Sequence, residues 1–370
     1  MSRIALAIGC GGTIGGAWSM AALHSLAQEL DWDPRDAGII QGTSAGSEIA
    51  TMLGAGFSTQ DLLDMQLGKP VDPRLAAHLA DTPPSLPPIP ALGVPNLRTL
   101  TRRGGHAPLV GIAPKGRGDA GWLDRLATSV ADPTTRWVDH RGIRLVAYRP
   151  DDHTRIAFTG PGEATDNPSL SSAATLSQAL RASWGIPGSM PMVSIAGHDY
   201  YDGGAASTAS VDLIGADEAD TIYVIASMAG LDDVRGPGLG GLAESTLLRK
   251  PMSAVLRKEV ADVRDRGTSV VVISPTADEL GALGANFMNK NRRAAAFDSS
   301  LQSTRTTVAA ALEKESARSA GGNRASSSSV PALPGSPRRT CSPRSASPTS
   351  PSWRRAPTWA VSGTGTGIRD

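Results

Sequence analysis

The stretch Gly42-Thr43-Ser44-Ala45-Gly46 has the pattern G-x-S-x-G, in which two glycines flank a serine. Residues 36–41 contain a short apolar run that suits a buried strand, and apolar side chains recur at helical spacing in residues 47–53. A serine on a tight turn between a strand and a helix is the context of a nucleophile elbow. Glycines suit both sides of such a turn because side chains there would collide with neighbouring backbone. The stretch therefore has two interpretations, a nucleophile elbow with Ser44 as the nucleophile or a Gly/Ser-rich helix entry with no chemistry, and other stretches of the chain decide between them.

A second glycine-rich stretch lies close to the amino terminus. Residues 3–8 have the composition of a buried strand, residues 9–16 contain five glycines, and residues 17–30 show the apolar spacing of a helix. A glycine-rich turn between a strand and a helix presents backbone N–H groups at the helix N-terminus, where they can bind an anion.

Two interpretations of this turn compete. One is a dinucleotide site, in which Asp31 or Asp33 would hold a ribose. The other is an oxyanion hole for Ser44. Cys10 and Ile14 interrupt every register of G-x-G-x-x-G, so the sequence favours the oxyanion hole.

Composition limits the class of protein. The 370 residues are 40% hydrophobic, enough for one large or two modest globular domains. No apolar run approaches the length of a membrane span, and residues 4–8 are too short for the apolar core of a signal peptide. With Cys10 and Cys341 as the two cysteines, we expect no disulfide framework and a cytoplasmic location.

The carboxyl-terminal part differs in composition from the rest. Residues 318–370 contain eight arginines and one acidic residue, which leaves 28 basic and 34 acidic residues, a formal net charge of −6, in the remainder. An acidic body argues against nucleic acid as a partner. Because residues 318–370 are rich in Ser, Pro, Gly and Arg and lack hydrophobic periodicity, we expect a folded domain over 1–317 and a disordered tail over 318–370. The tail is either a contact for acidic lipid or nucleic acid or an adventitious sequence.

The middle of the chain predicts further elements. The Pro/Gly-rich insert at 70–118 has two interpretations, a lid or bilayer-contact element or a solvated surface excursion. Residues 221–226 and 268–273 predict parallel strands joined through a helix at 243–266. The other predictions are a hairpin over 143–158, a helix over 171–183, a strand over 192–196 that turns at 197–199, and a last helix from about 290 to 315.

Three blocks occur in order: the glycine turn at 9–16, the serine turn at 42–46, and Asp202-Gly203-Gly204. Together they resemble the patatin-like phospholipase family, and Ala182-Ser183-Trp184-Gly185-Ile186-Pro187 resembles that family's A-S-x-x-x-P segment. The resemblance implies a three-layer α/β/α fold with a mostly parallel central sheet. It also implies a lipid acyl hydrolase that forms an acyl-enzyme through a dyad of Ser44 and Asp202. The implied oxyanion hole consists of Gly11, Gly12 and Thr13, and the supporting glycines are Gly9, Gly15, Gly42, Gly46, Gly203 and Gly204.

Other functions remain open. A Ser-Asp-His triad would use His198, since no histidine follows it. A serine esterase or thioesterase on soluble acyl esters, and a catalytically silent lipid-binding protein, are the alternatives to a lipid acyl hydrolase. We expect a lipid or acyl-ester substrate, a peripheral contact with the inner membrane face, no nucleic acid, no cofactor and no metal.

Two positions depart from the family pattern. Many members carry an arginine where Ile14 stands and a glycine where Cys10 stands. An oxyanion hole of backbone donors does not depend on either side chain. A redox switch at Cys10 is an alternative to its role as a small apolar filler.

Overall fold

The computed structural model describes residues 3–81, 116–163 and 167–327. Contacts group Met1–Asn323 into one compact unit. Most of the insert predicted at 70–118 and the chain from residue 328 onward lie outside the described residues.

Nine strands of the described chain form a mixed sheet in which parallel pairing predominates. In the order β5-β4-β3-β2-β1-β8-β9, the pairs β3-β2, β2-β1, β1-β8 and β8-β9 are parallel, whereas β3 pairs with β4 in the antiparallel direction. The strands are β1 (Ile4–Ile8), β2 (Ile39–Thr43), β3 (Ile143–Arg149), β4 (Thr154–Phe158), β5 (Leu170–Ser171), β6 (Val193–Ile195), β7 (His198–Asp202), β8 (Thr221–Ile225) and β9 (Ser269–Ile273).

Helices cover both faces of this sheet. Along β1, Leu6 and Ile8 belong to one buried cluster, which includes side chains of α1 and α2. Ala5 and Ala7 belong to a second cluster, which includes side chains of α8. The helices are α1 (Gly12–Leu30), α2 (Ala45–Gly54), α3 (Thr59–Gln66), α4 (Pro73–Ala80), α5 (Gly121–Val130), α6 (Leu176–Ser183), α7 (Gly238–Glu244), α8 (Lys250–Asp265), α9 (Ala277–Leu283) and α10 (Arg293–Ser327). Because successive residues of β1 point into different helical layers, the fold is the expected α/β/α arrangement.

Most predicted elements are confirmed, including the β3-β4 hairpin and the parallel pair β8-β9. The start of α1 was predicted too late, because Gly15 and Gly16 lie inside the helix and not in the turn. A Cβ on Gly15 would lie 2.5 Å from Ser227 Oγ, and one on Gly16 would lie 3.2 Å from Ala45 Cβ. These glycines therefore permit close packing of the helix.

Other boundaries also differ. The helix predicted over 243–266 consists of the end of α7, a π-helical turn at Ser245–Arg249 and α8, and the turn predicted at 197–199 ends before His198, where β7 begins. Helix α6 begins at Leu176 because Thr175 and Gln178 form a capping box there. Helix α10 continues past the predicted end at residue 315 to Ser327. Residues 318–327, assigned to the tail from composition, are therefore helical.

The carboxyl ends of β1, β2 and β8 lie at the same edge of the sheet, since these strands are parallel. Ligands of open α/β sheets bind outside this edge. The glycine turn follows β1 and the serine turn follows β2, so the topology places both predicted motifs side by side.

Candidate active site

Ser44 lies between β2 and α2 with φ 56° and ψ −122°. This backbone conformation is sparsely populated for a residue with a Cβ, and strain of this kind concentrates at functional sites. The side chain is 2% exposed. The turn therefore has the strand–turn–helix geometry that holds a serine hydroxyl at the end of a strand.

The flanking glycines are required by close backbone contacts. A Cβ on Gly46 would lie 2.1 Å from the carbonyl oxygen of Ile8, and one on Gly42 would lie 2.2 Å from the carbonyl oxygen of Gly46. Real Cβ atoms do not approach oxygen so closely. Both positions must be glycine for α2 to begin directly against β1.

Strand β3 brings Asp202 to Ser44. Its first half pairs with β2, with Val146 opposite Thr43, and its second half pairs with β7, with Ala147 opposite Asp202. Thr43 and Asp202 therefore pair with consecutive residues of one strand. Two residues far apart in sequence are brought to neighbouring positions by ordinary ladder hydrogen bonds.

Ser183, the last residue of α6, connects these pieces. Its Oγ accepts a hydrogen bond from the N–H of Ser44 at 2.9 Å and donates one to the carbonyl oxygen of Val146 at 2.7 Å. The Ser183 side chain is fully buried. It satisfies one polar group on the strained turn and one on the strand that positions Asp202.

Asp202 is buried, with 5% of the residue exposed. Burial raises its pKa to about 7, because desolvation disfavours the charged form. The Ser44 side chain and the N–H of Gly204, which lies 2.7 Å from Asp202 Oδ1, oppose this shift. A carboxylate with a pKa near neutral pH is a better proton acceptor than an exposed aspartate.

The glycine turn faces the same cavity through Gly11 and Gly12. Within the described residues, neither N–H group donates to a protein acceptor, whereas the N–H of Ile14 donates to the carbonyl oxygen of Phe287 at 2.9 Å. Gly12 has φ 56°, and a Cβ there would lie 2.6 Å from the ring of Phe287. Thr13 instead lines a neighbouring cavity with Glu48 and other residues. Gly11 and Gly12 are therefore better placed than Thr13 to bind an oxyanion at Ser44.

The cavity over Ser44 and Asp202 has a volume of about 170 Å³. Its walls are mainly apolar, which suits an acyl chain. The side chains that form most of these walls are Ile186, Pro187, Met228, Leu248, Met252 and Phe287.

Other sequence candidates lie elsewhere. His198 is exposed at the start of β7 and does not line this cavity. Asp31 and Asp33 lie beyond the carboxyl end of α1, a helix length of roughly 28 Å from the glycine turn. The geometry thus gives no support to a triad through His198 or to a ribose site at these aspartates.

The other supporting glycines surround the same site. The N–H of Gly9 donates to the carbonyl oxygen of Ile225 at 2.8 Å, which ties the turn to β8. A Cβ on Gly203 would lie 2.8 Å from the carbonyl oxygen of Val146. The turn after Asp202 can therefore approach β3 only with glycine at this position.

Cys10 lines the cavity as a buried free thiol. Burial raises the pKa of this thiol well above its usual range, and the nearby Asp202 carboxyl acts in the same direction. The thiolate is the reactive form of cysteine. The geometry therefore favours the apolar filler over the redox switch.

Sequence reasoning missed several residues of the cavity. The A-S-x-x-x-P segment pointed to Ser183 but did not reveal its hydrogen bonds. Met228, Leu248, Met252 and Phe287 come from loops and helices after β7, and no sequence pattern marked them.

Two features were not found among the described residues. No group of three or more His, Cys, Asp or Glu side chains there could hold a metal ion. In the same ranges, no helix has the length and apolarity needed to cross a membrane.

The sequence and fold were compared with known proteins. The family model for patatin-like phospholipases matches residues 6–214. No curated protein matches the chain. Among solved structures, VipD from Legionella pneumophila is similar with a TM-score of 0.39 and 12% sequence identity, over 84% of this chain and 67% of that chain. The family match includes Ser44, Ser183 and Asp202 and ends before the segment that supplies Met228, Leu248, Met252 and Phe287.

Proposed function

The chain belongs to the patatin-like phospholipase family, and on that premise we propose that it cleaves carboxylic esters of phospholipids or related lipids through Ser44 and Asp202. The observation that carries the proposal is a serine on a strained turn beside a buried aspartate whose pKa is raised to about 7, in one apolar cavity. A serine hydroxyl needs an adjacent base to become a useful nucleophile.

The first half of the reaction forms an acyl-enzyme. Asp202 accepts the hydroxyl proton of Ser44 while Ser44 Oγ bonds to the carbonyl carbon of the ester. The N–H groups of Gly11 and Gly12 stabilise the oxyanion of the tetrahedral intermediate. As the C–O bond of the ester breaks, the proton on Asp202 passes to the departing alcohol.

The second half releases the fatty acid. Asp202 takes a proton from water, and the resulting hydroxide attacks the acyl carbon. The bond between that carbon and Ser44 Oγ breaks, and Ser44 recovers its proton from Asp202. One carboxyl group thus serves both steps, which explains why its pKa should lie near the operating pH.

The apolar walls of the cavity support a fatty acyl substrate over a short polar ester. A water-excluded apolar site strengthens the interactions of the backbone donors with the oxyanion. A soluble-ester hydrolase of the same chemistry and a silent lipid-binding protein remain as alternatives.

A substrate panel separates these functions. Purified protein is incubated with phosphatidylcholine, lysophosphatidylcholine, an acyl-CoA thioester and p-nitrophenyl butyrate, and free fatty acid is measured. We expect the fastest hydrolysis for the phospholipids and none above background for Ser44→Ala or Asp202→Asn. Faster hydrolysis of the soluble esters would support the alternative hydrolase. Lipid binding with no hydrolysis of any substrate would contradict the proposal.

A further inference from the structure

An apolar surface lies next to the cavity, on the segment that joins β8 to α8. Four leucines of this segment are exposed, and we call them the leucine face. Their exposed fractions are 85% for Leu239, 45% for Leu242, 74% for Leu247 and 39% for Leu248. Leu239 and Leu242 lie one turn apart in α7, and Leu247 and Leu248 are adjacent residues in the turn that follows. So much leucine side chain in water is unfavourable, because each exposed apolar surface costs free energy that burial would recover.

The inward side of the same segment is polar. Ser245 and Arg249 are buried, and Arg249 donates to the carbonyl oxygen of Ser227 at 2.9 Å and pairs with Glu244 at 3.3 Å. The usual amphipathic pattern of a surface helix is therefore reversed, with charge inside and leucine outside. A rotation of this segment that buried the leucines would separate Arg249 from its partners. Such a rotation is unfavourable because it would leave a charge without its hydrogen bonds and ion pair.

The helix is widened where the leucines are densest. Residues Ser245–Arg249 form a π-helical turn, and Pro251 follows at the start of α8. Proline has no N–H group to donate to the preceding turn, which accounts for the interruption. The turn places Leu247 and Leu248 together on the outside.

This surface is continuous with the cavity. Leu248 belongs to the leucine face and also lines the cavity that contains Ser44, and Met252 lines it one turn further along. Leu248 therefore lies where the leucine face meets the rim of the cavity. A molecule that covers Leu248 lies beside the cavity that contains Ser44.

The unpaired charges next to the leucines in sequence are positive. Arg235 precedes the leucines in sequence and Lys250 follows them; both are exposed, and neither has an ion-pair partner within the described residues. Glu244 is the single acidic residue of 234–257 and pairs inward with Arg249, and the preceding Asp232 and Asp233 pair with Lys314 and Arg257. Leucines flanked by free cations, with no exposed acid among them, complement an apolar surface that carries negative charge.

We infer that the leucine face inserts into the surface of an anionic lipid aggregate and holds the rim of the cavity against it. This inference rests on the proposed function, since it names the partner of the same site. It places a bilayer contact on 235–250; the lid or bilayer contact predicted for the insert at 70–118 falls mostly outside the described residues.

Vesicle flotation tests the inference. The full chain is mixed with vesicles of phosphatidylcholine containing about 30 mol% phosphatidylglycerol, and with vesicles of phosphatidylcholine alone. The double variant Leu239→Glu/Leu247→Glu should lower the partition to anionic vesicles at least about tenfold. Val71→Glu is the matched control, because Val71 is 87% exposed and lies outside the leucine face. The uncharged variant Leu239→Ser/Leu247→Ser should also lower the partition, which separates lost insertion from charge repulsion.

The cations are tested separately. Arg235→Gln/Lys250→Gln should lower the partition to anionic vesicles but not to vesicles of phosphatidylcholine alone. Added salt should weaken binding of the wild type more than binding of this variant.

The design separates this inference from the proposed function. Ser44→Ala should float with vesicles as the wild type does, and Leu239→Glu/Leu247→Glu should keep its rate on p-nitrophenyl butyrate. Vesicle binding without hydrolysis of any ester would contradict the proposed function and leave the inference intact. Equal flotation of the wild type and both leucine variants, or no flotation of the wild type, would overturn the inference. A dimer that the leucine variants dissociate would assign the face to a second copy and would also overturn it.

Discussion

The Oγ of Ser183 accepts a hydrogen bond from the backbone N–H of Ser44, with the two atoms 2.9 Å apart. The same hydroxyl donates to Val146, whose neighbour Ala147 pairs with Asp202. One buried hydroxyl therefore fixes the nucleophile turn relative to the strand that carries the base. Holding the nucleophile and the base in place in this way favours the geometry in which they react.

Replacing Ser183 with alanine should lower kcat more than it changes KM. The variant leaves the Ser44 N–H and the Val146 carbonyl without partners, at a cost of about 1–3 kcal/mol in the free energy of unfolding. A shifted serine turn should reduce kcat by about 10- to 100-fold. Hydrolysis kinetics and urea denaturation measure the two effects.

Ser25→Ala is the matched control for this variant. Ser25 is buried and hydrogen-bonded to Thr304 at 2.8 Å, away from the cavity. It should lose comparable stability and keep its kcat. An equal loss of kcat in both variants would show that Ser183 acts through stability alone.

Asp202→Asn should stabilise the protein at neutral and alkaline pH. The pKa of Asp202 is raised from 3.8 to about 7 in the folded protein. The wild type therefore loses stability as pH rises from the unfolded to the folded pKa, because the unfolded chain releases the proton more readily. Asparagine avoids this penalty, so the variant should gain up to about 4 kcal/mol above pH 7 and little below pH 4. Urea denaturation across this range measures the difference, and a gain that does not depend on pH would contradict the assigned pKa.

Gly46→Ala should abolish the native turn. Its Cβ would lie 2.1 Å from the Ile8 carbonyl oxygen, so β1 and α2 would have to separate, at a cost of about 3 kcal/mol or more. Gly56→Ala is the comparison, because Gly56 has φ 92° with no atom within 4 Å of its Cβ position. That variant should lose about 1–2 kcal/mol from backbone strain alone. Similar losses of stability and activity in the two variants would contradict the close approach at Gly46.

Cys10 should resist alkylation in the folded protein. Its thiol is buried and its pKa is raised, so little thiolate forms near neutral pH. Iodoacetamide followed by peptide mass spectrometry should modify Cys10 after denaturation but not before. Rapid modification of the native protein at Cys10 would contradict this prediction and support a redox switch at Cys10.

The sequence predicted the parts of the site that depend on local backbone geometry. The serine turn needed glycines at 42 and 46, and those residues are visible in the sequence. The meeting of the glycine turn and the serine turn followed from parallel strands, whose carboxyl ends share an edge.

The remaining parts depend on tertiary contacts that leave no local pattern. Strand β3 pairs with β2 at Thr43 and with β7 at Asp202. The alternation of side chains along one strand does not specify which strands it pairs with. The early start of α1 was missed because Gly15 and Gly16 are poor helix formers, and their packing against Ser227 and Ala45 outweighs that propensity. The reversed polarity of residues 239–249 resembles ordinary amphipathicity in sequence, since the pattern shows a face but not its direction.

The rate at which a fluorophosphonate labels Ser44, measured by intact mass across a range of pH, tests the central claim most directly. If Asp202 activates Ser44, the rate should rise with pH and level off above an apparent pKa of about 7. Asp202→Asn should label slowly and without that pH dependence, and Ser44→Ala should not label. Equal labelling of the wild type and Asp202→Asn at every pH, or an adduct on a residue other than Ser44, would contradict the account.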